Sequence, residues 1–432
     1  MEREIIDKLH QWKVSPSRKP LILWGARQVG KTWALKEFGR ECFDDVVYIS
    51  FYNNSRIAAL FEKDYDTSRI IGELETAFHC RIEPGKTLLI FDEIQGAPKV
   101  LESLKYFCED AGEYAVCAAG SLLGVALHQG VSFPVGKVDE LRLYPMSFAE
   151  FLRAMGESDL ADAVSNMKDS RLSDLRERYI ELLKTYYVTG GMPEVVKEYR
   201  DDHDLYEVRQ NQLAILDQYE GDFGKHITND MLPRIRMAWK SIPAQLAKEN
   251  RKFMYGTIKK GARAREYETA LEWLEDAGLI YKVNKVSKPG VPLPAYVDQS
   301  SFKVYMNDIG LLGALSELDP ESIMTGSSAF TEFKGALTEQ YVIQELKAAG
   351  KANLYYFATE KAAYEVDLLI QKKMSVIPVE VKAETNLKAK SLRYYYDKYS
   401  PEYAYRLSMA DYVEQGWLIN VPLWAASSIC AN

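Results

Sequence analysis

Short apolar runs alternate with amphipathic helical patterns over the first 150 residues. The apolar runs predict five strands, at Leu21–Trp24, Val46–Phe51, Leu88–Phe91, Ala115–Ala119 and Glu140–Leu143. Runs that are apolar on both faces are typical of buried parallel strands, and helices connect such strands. The pattern therefore predicts an α/β domain with a parallel sheet over residues 1–150.

Helical periodicity dominates the next part of the chain. Residues 151–225 are mostly amphipathic, and Gly190-Gly191-Met192-Pro193 interrupts them, so we expect a helical lid or connector. In residues 226–290, helices are predicted within Met231–Lys248 and Arg263–Ala277, with Gly278 as a C-cap and a wing strand at Leu279–Val283. This order is typical of a winged helix-turn-helix.

A second α/β domain is predicted over residues 291–432. Thr331–Ala349 has the spacing of a helix, whereas Tyr364–Ile370 and Val376–Lys382 read as two successive strands. The predicted architecture is thus a parallel sheet with a helical lid, then a winged helix, then a smaller α/β domain.

Composition places the chain among ordinary globular proteins. It has 432 residues, 47% of them hydrophobic and 27% charged, with a formal net charge of −8. Any contact with nucleic acid must therefore be a local basic patch. The five cysteines form no C-x-x-C pair, and the charged N-terminus is unlike a signal peptide. We expect a cytoplasmic protein that has no membrane partner.

The segment after the first predicted strand carries the strongest chemical signal. It reads Gly-Ala-Arg-Gln-Val-Gly-Lys-Thr and fits the Walker A pattern G-x-x-x-x-G-K-[ST]. Lys31 would reach the β- and γ-phosphates, and Thr32 would offer its hydroxyl to Mg²⁺. A turn that matches by chance is the alternative, which the flanking strand and helix disfavour. The predicted binding residues are Gly25, Ala26, Arg27, Gln28, Val29, Gly30, Lys31, Thr32 and Trp33.

A second motif follows about sixty residues later, where the apolar run Thr87–Phe91 ends in Asp92 and Glu93. In P-loop NTPases, the acid at the tip of such a strand helps to hold Mg²⁺, and we assign that role to Asp92. Glu93 is then placed to act as general base on water. Alone, this motif could be a solvated acidic turn.

Six basic residues lie between positions 250 and 265, and no acid lies among them. They could contact the phosphates of duplex DNA, or they could form the solvated face of a protein-docking module. The sequence leaves both alternatives open. The six residues are Arg251, Lys252, Lys259, Lys260, Arg263 and Arg265.

Ionisable residues also interrupt the apolar elements of the C-terminal domain. Glu339 lies on the apolar stripe of its helix, Asp367 lies on one strand, and Glu380 and Lys382 share a face of the next strand. This arrangement resembles PD-(D/E)XK nucleases, although Val366 stands where the proline would be. Asp367 and Glu380 would bind Mg²⁺, and Lys382 would orient water. A buried salt bridge is the alternative.

Taken together, the chain resembles the bacterial and archaeal AAA-family ATPases that carry a C-terminal nuclease-like domain of unknown function. Besides the two phosphate-site motifs, the resemblance rests on Leu141–Phe148, Gly190–Pro193, Asp308–Leu312 and Ile377–Lys382. It implies a P-loop AAA+ type core that binds ATP and Mg²⁺ and hydrolyses ATP. It does not supply a substrate.

The resemblance also bears on three further residues. In AAA+ proteins a polar side chain at the tip of the fourth strand touches the γ-phosphate region, and Ser121 holds that place, although a simple Gly-Ser turn is an equal alternative. Arg142 and Arg27 are candidates for an arginine finger. A finger supplied from outside would require a neighbouring subunit or a domain that folds over the site.

Two functions remain open. In one, ATP drives or switches an action on duplex DNA through the winged helix and the nuclease-like domain. In the other, ATP switches protein assembly, and both C-terminal modules only dock a partner protein.

Overall fold

The computed structural model describes residues 1–121, 132–224, 227, 230–248, 251–351, 353–359, 363–384 and 389–430. The chain divides into two compact units. The N-terminal unit contains residues 2–144 and 276–278, and the C-terminal unit contains residues 145–275 and 279–432 together with residue 1. Among the described residues, no helix has both the length and the apolar character needed to cross a membrane.

A five-stranded parallel sheet forms the centre of the N-terminal unit. Its order is β2-β3-β4-β1-β5, so β4 lies between β1 and β3. The predicted parallel sheet is confirmed, and two of its strands have the predicted bounds. The strands are β1 (Leu21–Trp24), β2 (Asp45–Ser50), β3 (Thr87–Asp92), β4 (Ala115–Ala119) and β5 (Asp139–Arg142).

Helices connect these strands and bury their apolar faces against the sheet. Every residue of β3 is buried. On one side of β3, Phe91 packs edge to face against Phe51, Phe61 and Phe107, with ring centroids 5.7–5.9 Å apart. The helices are α1 (Ile5–Val14), α2 (Lys31–Cys42), α3 (Ser55–Glu62), α4 (Thr67–Phe78) and α5 (Pro98–Asp110), and a 3-10 turn spans Ile94–Gly96.

The C-terminal unit begins with a helical region, as the sequence predicts. Ser147 and Glu150 form a capping box at its first helix, and Pro193 starts the helix that follows the Gly190-Gly191 break. The helices are α6 (Phe148–Ala154), α7 (Ser158–Ala163), α8 (Arg171–Asp174), α9 (Arg176–Thr189), α10 (Pro193–Asp202), α11 (Leu205–Asp222), α12 (Leu232–Leu246), α13 (Tyr255–Ile258) and α14 (Ala264–Asp276).

An eight-stranded mixed sheet occupies the rest of this unit, in the order β12-β13-β11-β10-β9-β8-β6-β7. The strands are β6 (Ile280–Val286), β7 (Val297–Met306), β8 (Tyr355–Ala358), β9 (Glu365–Lys372), β10 (Ser375–Val381), β11 (Ala404–Ser408), β12 (Val413–Gln415) and β13 (Leu418–Pro422). The helices around it are α15 (Ile309–Leu315), α16 (Pro320–Thr325), α17 (Ser328–Ala348) and α18 (Lys390–Tyr399), and 3-10 turns span Leu293–Tyr296 and Leu423–Cys430.

The predicted wing strand, Leu279–Val283, lies within β6 apart from its first residue. β6 pairs antiparallel with β7 and parallel with β8, so it belongs to the same sheet as β9 and β10. The boundary predicted at residue 290 therefore falls in the connection between two paired strands. The helices predicted within Met231–Lys248 and Arg263–Ala277 are present as α12 and α14, but a separate winged-helix domain stays a prediction.

Candidate functional site

The phosphate-binding motif forms the loop between β1 and α2. Gly30 has a φ of +95°, a left-handed conformation that disfavours other residues. A Cβ atom on Gly25 would lie 2.4 Å from the Leu143 carbonyl oxygen, so this position also requires glycine. Because Lys31 is the first residue of α2, the loop presents the N-terminus of a helix, where anions bind favourably.

Lys31 is buried and turns back onto this loop. Its ammonium donates hydrogen bonds to the carbonyl oxygens of Gly25 at 2.8 Å and Ala26 at 2.7 Å. Burial lowers the pKa of Lys31 to about 8, although the carboxylates of Glu93 and Asp92 act in the opposite direction. A phosphate placed here would strengthen the charged form, because it would add negative charge at the ammonium.

Asp92 ends β3 and accepts two hydrogen bonds at the same oxygen. Thr32 Oγ1 donates to Asp92 Oδ2 at 2.6 Å, and the hydroxyl of Tyr48 donates to it at 3.1 Å. Lys36 Nζ lies 3.6 Å from the centre of the Tyr48 ring. Burial, together with the charge and hydrogen bond of Asp92, raises the pKa of Tyr48 to about 12, so this tyrosine remains a donor at neutral pH.

Glu93 takes a left-handed backbone conformation, with a φ of +56°. Such a conformation is unfavourable for a residue with a side chain. Ser121 Oγ donates to Glu93 Oε2 at 3.3 Å, and the side-chain amide of Gln95 donates to the same oxygen. Ser121 reaches Glu93 because β4 lies directly beside β3.

Four other residues predicted to bind nucleotide also lie in or next to the loop. Ala26 and Val29 are buried, and Gln28 has a left-handed φ of +67°. Trp33 is the third residue of α2 and is 41% exposed. These positions leave the loop backbone, rather than the side chains, as the main surface for phosphate.

The two arginine-finger candidates occupy different surroundings. Arg27 is partly buried, and its charge adds to the lowering of the Lys31 pKa. Arg142 is exposed at the end of β5, where it pairs in register with Trp24 of β1. The role of either residue as an arginine finger stays a prediction.

Two residues of this site were missed by the sequence reasoning, namely Tyr48 and Gln95. Tyr48 reaches Asp92 because β2 lies beside β3, and that adjacency is a tertiary feature. The signal that could have found Tyr48 is an aromatic hydroxyl in a strand that ends beside the acidic motif. Gln95 lies two residues after Glu93, and its amide could have been suspected from that spacing.

In the C-terminal unit, Asp367 of β9 lies next to Glu380 of β10 at the end of an antiparallel pair. The Val381 amide donates to Asp367 Oδ2 at 2.8 Å, and Lys382 Nζ lies 2.6 Å from Glu380 Oε1. Glu380 is 5% exposed, and its Oε2 has no hydrogen-bond partner among the residues that the structure describes.

Burial raises the pKa of both carboxyl groups. The pKa of Asp367 lies well above its usual range because of burial and the neighbouring charges of Glu380 and Glu339. The pKa of Glu380 is raised by burial, although Lys382 acts in the opposite direction. No cluster of three or more His, Cys, Asp or Glu side chains suited to a metal occurs in the described ranges. A metal here would therefore depend on these two carboxylates.

Glu339 reaches the same face from α17 but is already paired. Lys303 Nζ lies 3.0 Å from Glu339 Oε1, and Tyr305 and Arg251 also bind this carboxylate. Lys303 contacts Glu365 at 2.7 Å as well. Burial opposes ionisation of Glu339, but the charges of Lys303 and Arg251 outweigh it and lower its pKa to about 2.

The ion pair between Arg251 and Glu339 shows that the basic patch predicted to contact DNA was wrong for one of its six members. Arg251 is mostly buried because its guanidinium forms an ion pair with Glu339, so it does not belong to a solvent-facing patch. Lys252 is partly buried. The exposed members are Lys259, Lys260, Arg263 and Arg265, which flank the start of α14.

Two of the family-like motifs meet at a buried carboxylate without reaching either site. Asp308 accepts hydrogen bonds from the Gly191 amide at 2.6 Å and the Leu311 amide at 2.9 Å. Burial raises the pKa of Asp308 to about 6. The Gly191 carbonyl in turn accepts from the Met146 amide at 2.6 Å. These motifs thus hold the helical region to α15 in the C-terminal unit.

Comparison with protein families agrees with the geometry of the N-terminal site. Residues 17–152 match the family model described as AAA domain. The N-terminal region is thus similar to AAA domains. Residues 180–322 match a domain of unknown function (DUF8612), and residues 334–424 match another (DUF4143). The expected AAA-family resemblance is thereby confirmed, while the nuclease-like assignment stays a prediction.

Solved structures with partial similarity include the Walker-type ATPase paby2304 of Pyrococcus abyssi, at 15% identity and a TM-score of 0.44, over 73% of this chain and 95% of that one. The Orc1 protein of Aeropyrum pernix, solved in complex with DNA, has 14% identity and a TM-score of 0.28, over 73% of this chain and 91% of that one. AMPPCP-bound DnaA from Aquifex aeolicus has 12% identity and a TM-score of 0.24, over 63% of this chain and 85% of that one. The comparison with curated proteins found no match.

Proposed function

We propose that the protein binds ATP with Mg²⁺ and hydrolyses it at the loop between β1 and α2. One observation carries the proposal: Lys31, the Thr32–Asp92 pair and the Glu93–Ser121 pair converge at the carboxyl end of one parallel sheet. In open α/β sheets, ligands bind at this end of the strands. The family match of this region to AAA domains supports the same function.

Each residue has a role that its surroundings support. The loop amides and the Lys31 ammonium would bind the phosphates, and the phosphates would replace the Gly25 and Ala26 carbonyls as acceptors. Thr32 and Asp92 supply the hydroxyl and carboxylate oxygens that Mg²⁺ prefers. The bound ion would neutralise charge on the phosphates.

Glu93 would accept the proton of the attacking water. The hydrogen bonds from Ser121 and Gln95 hold its carboxylate in one orientation, which a general base requires. In the described structure both bonds go to Oε2 of Glu93, so the other carboxylate oxygen is the one available to water.

The binding part of the proposal is tested with Lys31→Ala. We expect ATP binding measured by titration calorimetry to be lost, because the phosphates would lose their point charge. Lys36→Ala is the control, because Lys36 lies on the same helix but contacts the Tyr48 ring instead of the loop. Unchanged ATP affinity in Lys31→Ala would contradict the proposed site.

We further propose a divalent-metal site at Asp367 and Glu380, through which the C-terminal unit cuts or grips DNA. Two buried carboxylates lie side by side, and one oxygen of Glu380 lacks a partner among the described residues. Buried oxygens of this kind are costly unless a proton or a cation compensates them. The alternative, a docking module held by a salt bridge, is favoured by the Lys382–Glu380 contact.

Thermal unfolding distinguishes these two readings. In a Lys31→Ala background without nucleotide, Mn²⁺ should raise the Tm of the C-terminal unit, because a ligand bound only to the folded state stabilises it. Asp367→Asn should abolish the rise, and the exposed Glu402→Gln should not. If the carboxylates only form a salt bridge, Mn²⁺ should leave the Tm unchanged. Nicking of a supercoiled plasmid, with Lys382→Ala as the inactive variant, then tests cleavage.

Duplex DNA would contact the exposed basic residues beside α14. We expect weak, sequence-tolerant binding whose affinity falls steeply with salt, because phosphate contacts release counterions. Replacing Lys259 and Lys260 by glutamine should lower the salt slope by about two, at roughly one unit per phosphate contact. If charge reversal at these positions leaves the affinity for duplex DNA unchanged, docking of a partner protein is favoured instead.

A further inference from the structure

We infer that Tyr364 and Tyr394 form a stacking platform for the bases of a single-stranded nucleic acid. This inference rests on the proposed action on DNA and names the form of nucleic acid that the C-terminal unit would recognise. The two rings are parallel within 4°, and their centres lie 4.1 Å apart. Tyr364 is 38% exposed although it lies next to a strand of the central sheet.

The platform is held rigidly before any ligand arrives. The Tyr364 amide donates to Thr359 Oγ1 at 3.2 Å, and the Tyr364 carbonyl accepts from the Thr359 amide at 3.0 Å. The next amide, that of Glu365, donates to Ser391 Oγ of α18 at 3.4 Å. A ring fixed in this way loses little conformational freedom on binding, which favours stacking of a ligand.

Positive charge flanks the platform along one face of α18. Lys390, Tyr394 and Lys398 recur at intervals of four residues, so they form a single stripe on the helix. Both lysines are exposed, and Lys398 Nζ lies 3.3 Å from the Tyr394 hydroxyl. Lysines beside an exposed aromatic surface match a strand with negative phosphates and flat bases.

The platform lies at the end of the sheet that carries the buried carboxylates. Tyr364 is three residues before Asp367, which corresponds to about 10 Å along an extended chain. The Asp367 carboxylate lies near Glu380 and near Glu339 of α17, on one face of the sheet. The neighbouring Val366 packs on the other face, in the apolar cluster that includes Leu392 of α18. A strand stacked on Tyr364 would therefore lie near the start of β9, on the face of the sheet opposite Asp367.

Single strands fit this surface better than duplexes do. In a duplex the base faces are stacked on one another and are not available to a protein ring. In a single strand each base offers a face, and stacking on an aromatic side chain tolerates any sequence. The exposed basic residues near α14 would still contact duplex phosphates, so the two surfaces are expected to respond to different probes.

The test measures binding of a fluorescein-labelled twenty-nucleotide oligothymidylate to the full chain by fluorescence anisotropy. EDTA is present and nucleotide is absent, so neither ATP hydrolysis nor metal-dependent cleavage contributes. Tyr364→Ala should weaken binding about 5- to 160-fold, the range typical of losing one stacked base. Tyr364→Phe keeps the ring and should restore nearly all of the affinity.

Two controls separate the platform from a general loss of structure. Tyr206→Ala removes another exposed tyrosine, 66% accessible on α11 of the same unit, and should leave the affinity unchanged. The double variant Lys390→Gln, Lys398→Gln should lower the salt slope by about 1.4, at roughly 0.7 per phosphate of a single strand. A duplex of the same length should be insensitive to Tyr364→Ala.

The inference is overturned if the oligothymidylate does not bind at micromolar protein and low salt. It is equally overturned if Tyr206→Ala and Tyr364→Ala weaken binding alike, or if Tyr364→Phe fails to restore it. Equal sensitivity of duplex binding to Tyr364→Ala would refute the single-strand preference. Asp367→Asn separates the two claims. Loss of metal binding with retained oligothymidylate binding would support both the metal site and the platform, whereas unchanged metal binding with retained oligothymidylate binding would refute the metal site and leave the platform standing.

Discussion

Gly190→Ala should destabilise the C-terminal unit far more than an alanine at an ordinary turn glycine. Gly190 has a φ of +67°, and a Cβ atom there would lie 2.1 Å from Asp308 Oδ1 and 2.7 Å from Asp308 Oδ2. No side chain can occupy that space unless Asp308 moves. Movement would break the bonds that the Asp308 carboxylate accepts from the amides of Gly191 and Leu311.

The magnitude follows from two contributions. Gly190 has a ψ of −162° beside its φ of +67°, a combination that is essentially confined to glycine, and an alanine there costs about 1–3 kcal/mol. The steric conflict adds either about 1–3 kcal/mol of overpacking or the loss of two hydrogen bonds to a charged group, at roughly 1.5–3 kcal/mol each. The cheaper of these two responses sets the steric cost, so Gly190→Ala should lower the free energy of unfolding by about 2–6 kcal/mol, a large part of the roughly 5–15 kcal/mol of a typical domain.

Gly156→Ala is the matched control. Gly156 has a φ of +83° in the same unit, and a Cβ atom there would meet no other atom within 4 Å. It should cost only the conformational contribution, about 1–2 kcal/mol. The assay is scanning calorimetry of the full chain without ligands. At roughly 2–4 °C per kcal/mol, Gly190→Ala should lower the Tm of the affected transition by about 4–24 °C, and Gly156→Ala by about 2–8 °C. Equal shifts in the two variants would refute the role assigned to Asp308.

Three further predictions concern the two sites. Arg251→Gln should tighten Mn²⁺ binding by the nucleotide-free chain about tenfold, because it removes a positive charge that is paired with Glu339 near the proposed metal site. Unchanged Mn²⁺ affinity would show that the Arg251 charge does not oppose metal binding. Tyr48→Phe should raise the Mg²⁺ concentration for half-maximal ATP hydrolysis about tenfold and spare kcat, since Oδ2 of Asp92 loses one of its two donors. A loss of kcat alone would contradict this. ATP binding should be accompanied by uptake of a proton above about pH 8 but not well below it. The buried Lys31 has a pKa of about 8, and bound phosphate favours its charged form. Calorimetry in buffers of different ionisation enthalpy measures this proton uptake.

The parallel sheet could be predicted from sequence because its signal is local. β1 and β4 begin and end where their apolar runs do, at Leu21–Trp24 and Ala115–Ala119. A strand buried on both faces needs no partner to be recognised, and glycine and lysine at fixed spacing identify the loop that follows. The structure brings Thr32 and Asp92 within hydrogen-bond distance, and their roles in binding Mg²⁺ stay predictions.

The remaining features depend on pairings between distant segments. β6 has the composition of a wing strand, but its partner β8 lies about seventy residues further along the chain. Arg251 has the composition of a DNA contact, but it pairs with Glu339, 88 residues away. Neither pairing leaves a periodic trace in the sequence, since the energy of each depends on tertiary packing. Positions 249–250, next to Arg251, and 385–388, after the predicted Lys382, lie outside the described residues.

The central claim is that Glu93 is the base that activates water for ATP hydrolysis. The direct measurement is steady-state phosphate release with saturating ATP and Mg²⁺, beside calorimetric ATP binding, for the parent protein and for Glu93→Gln. The amide keeps the hydrogen-bonding size of the side chain but cannot accept the proton, so turnover should fall about 10²- to 10⁴-fold while ATP binding is retained. Turnover by Glu93→Gln at the parent rate would contradict the account.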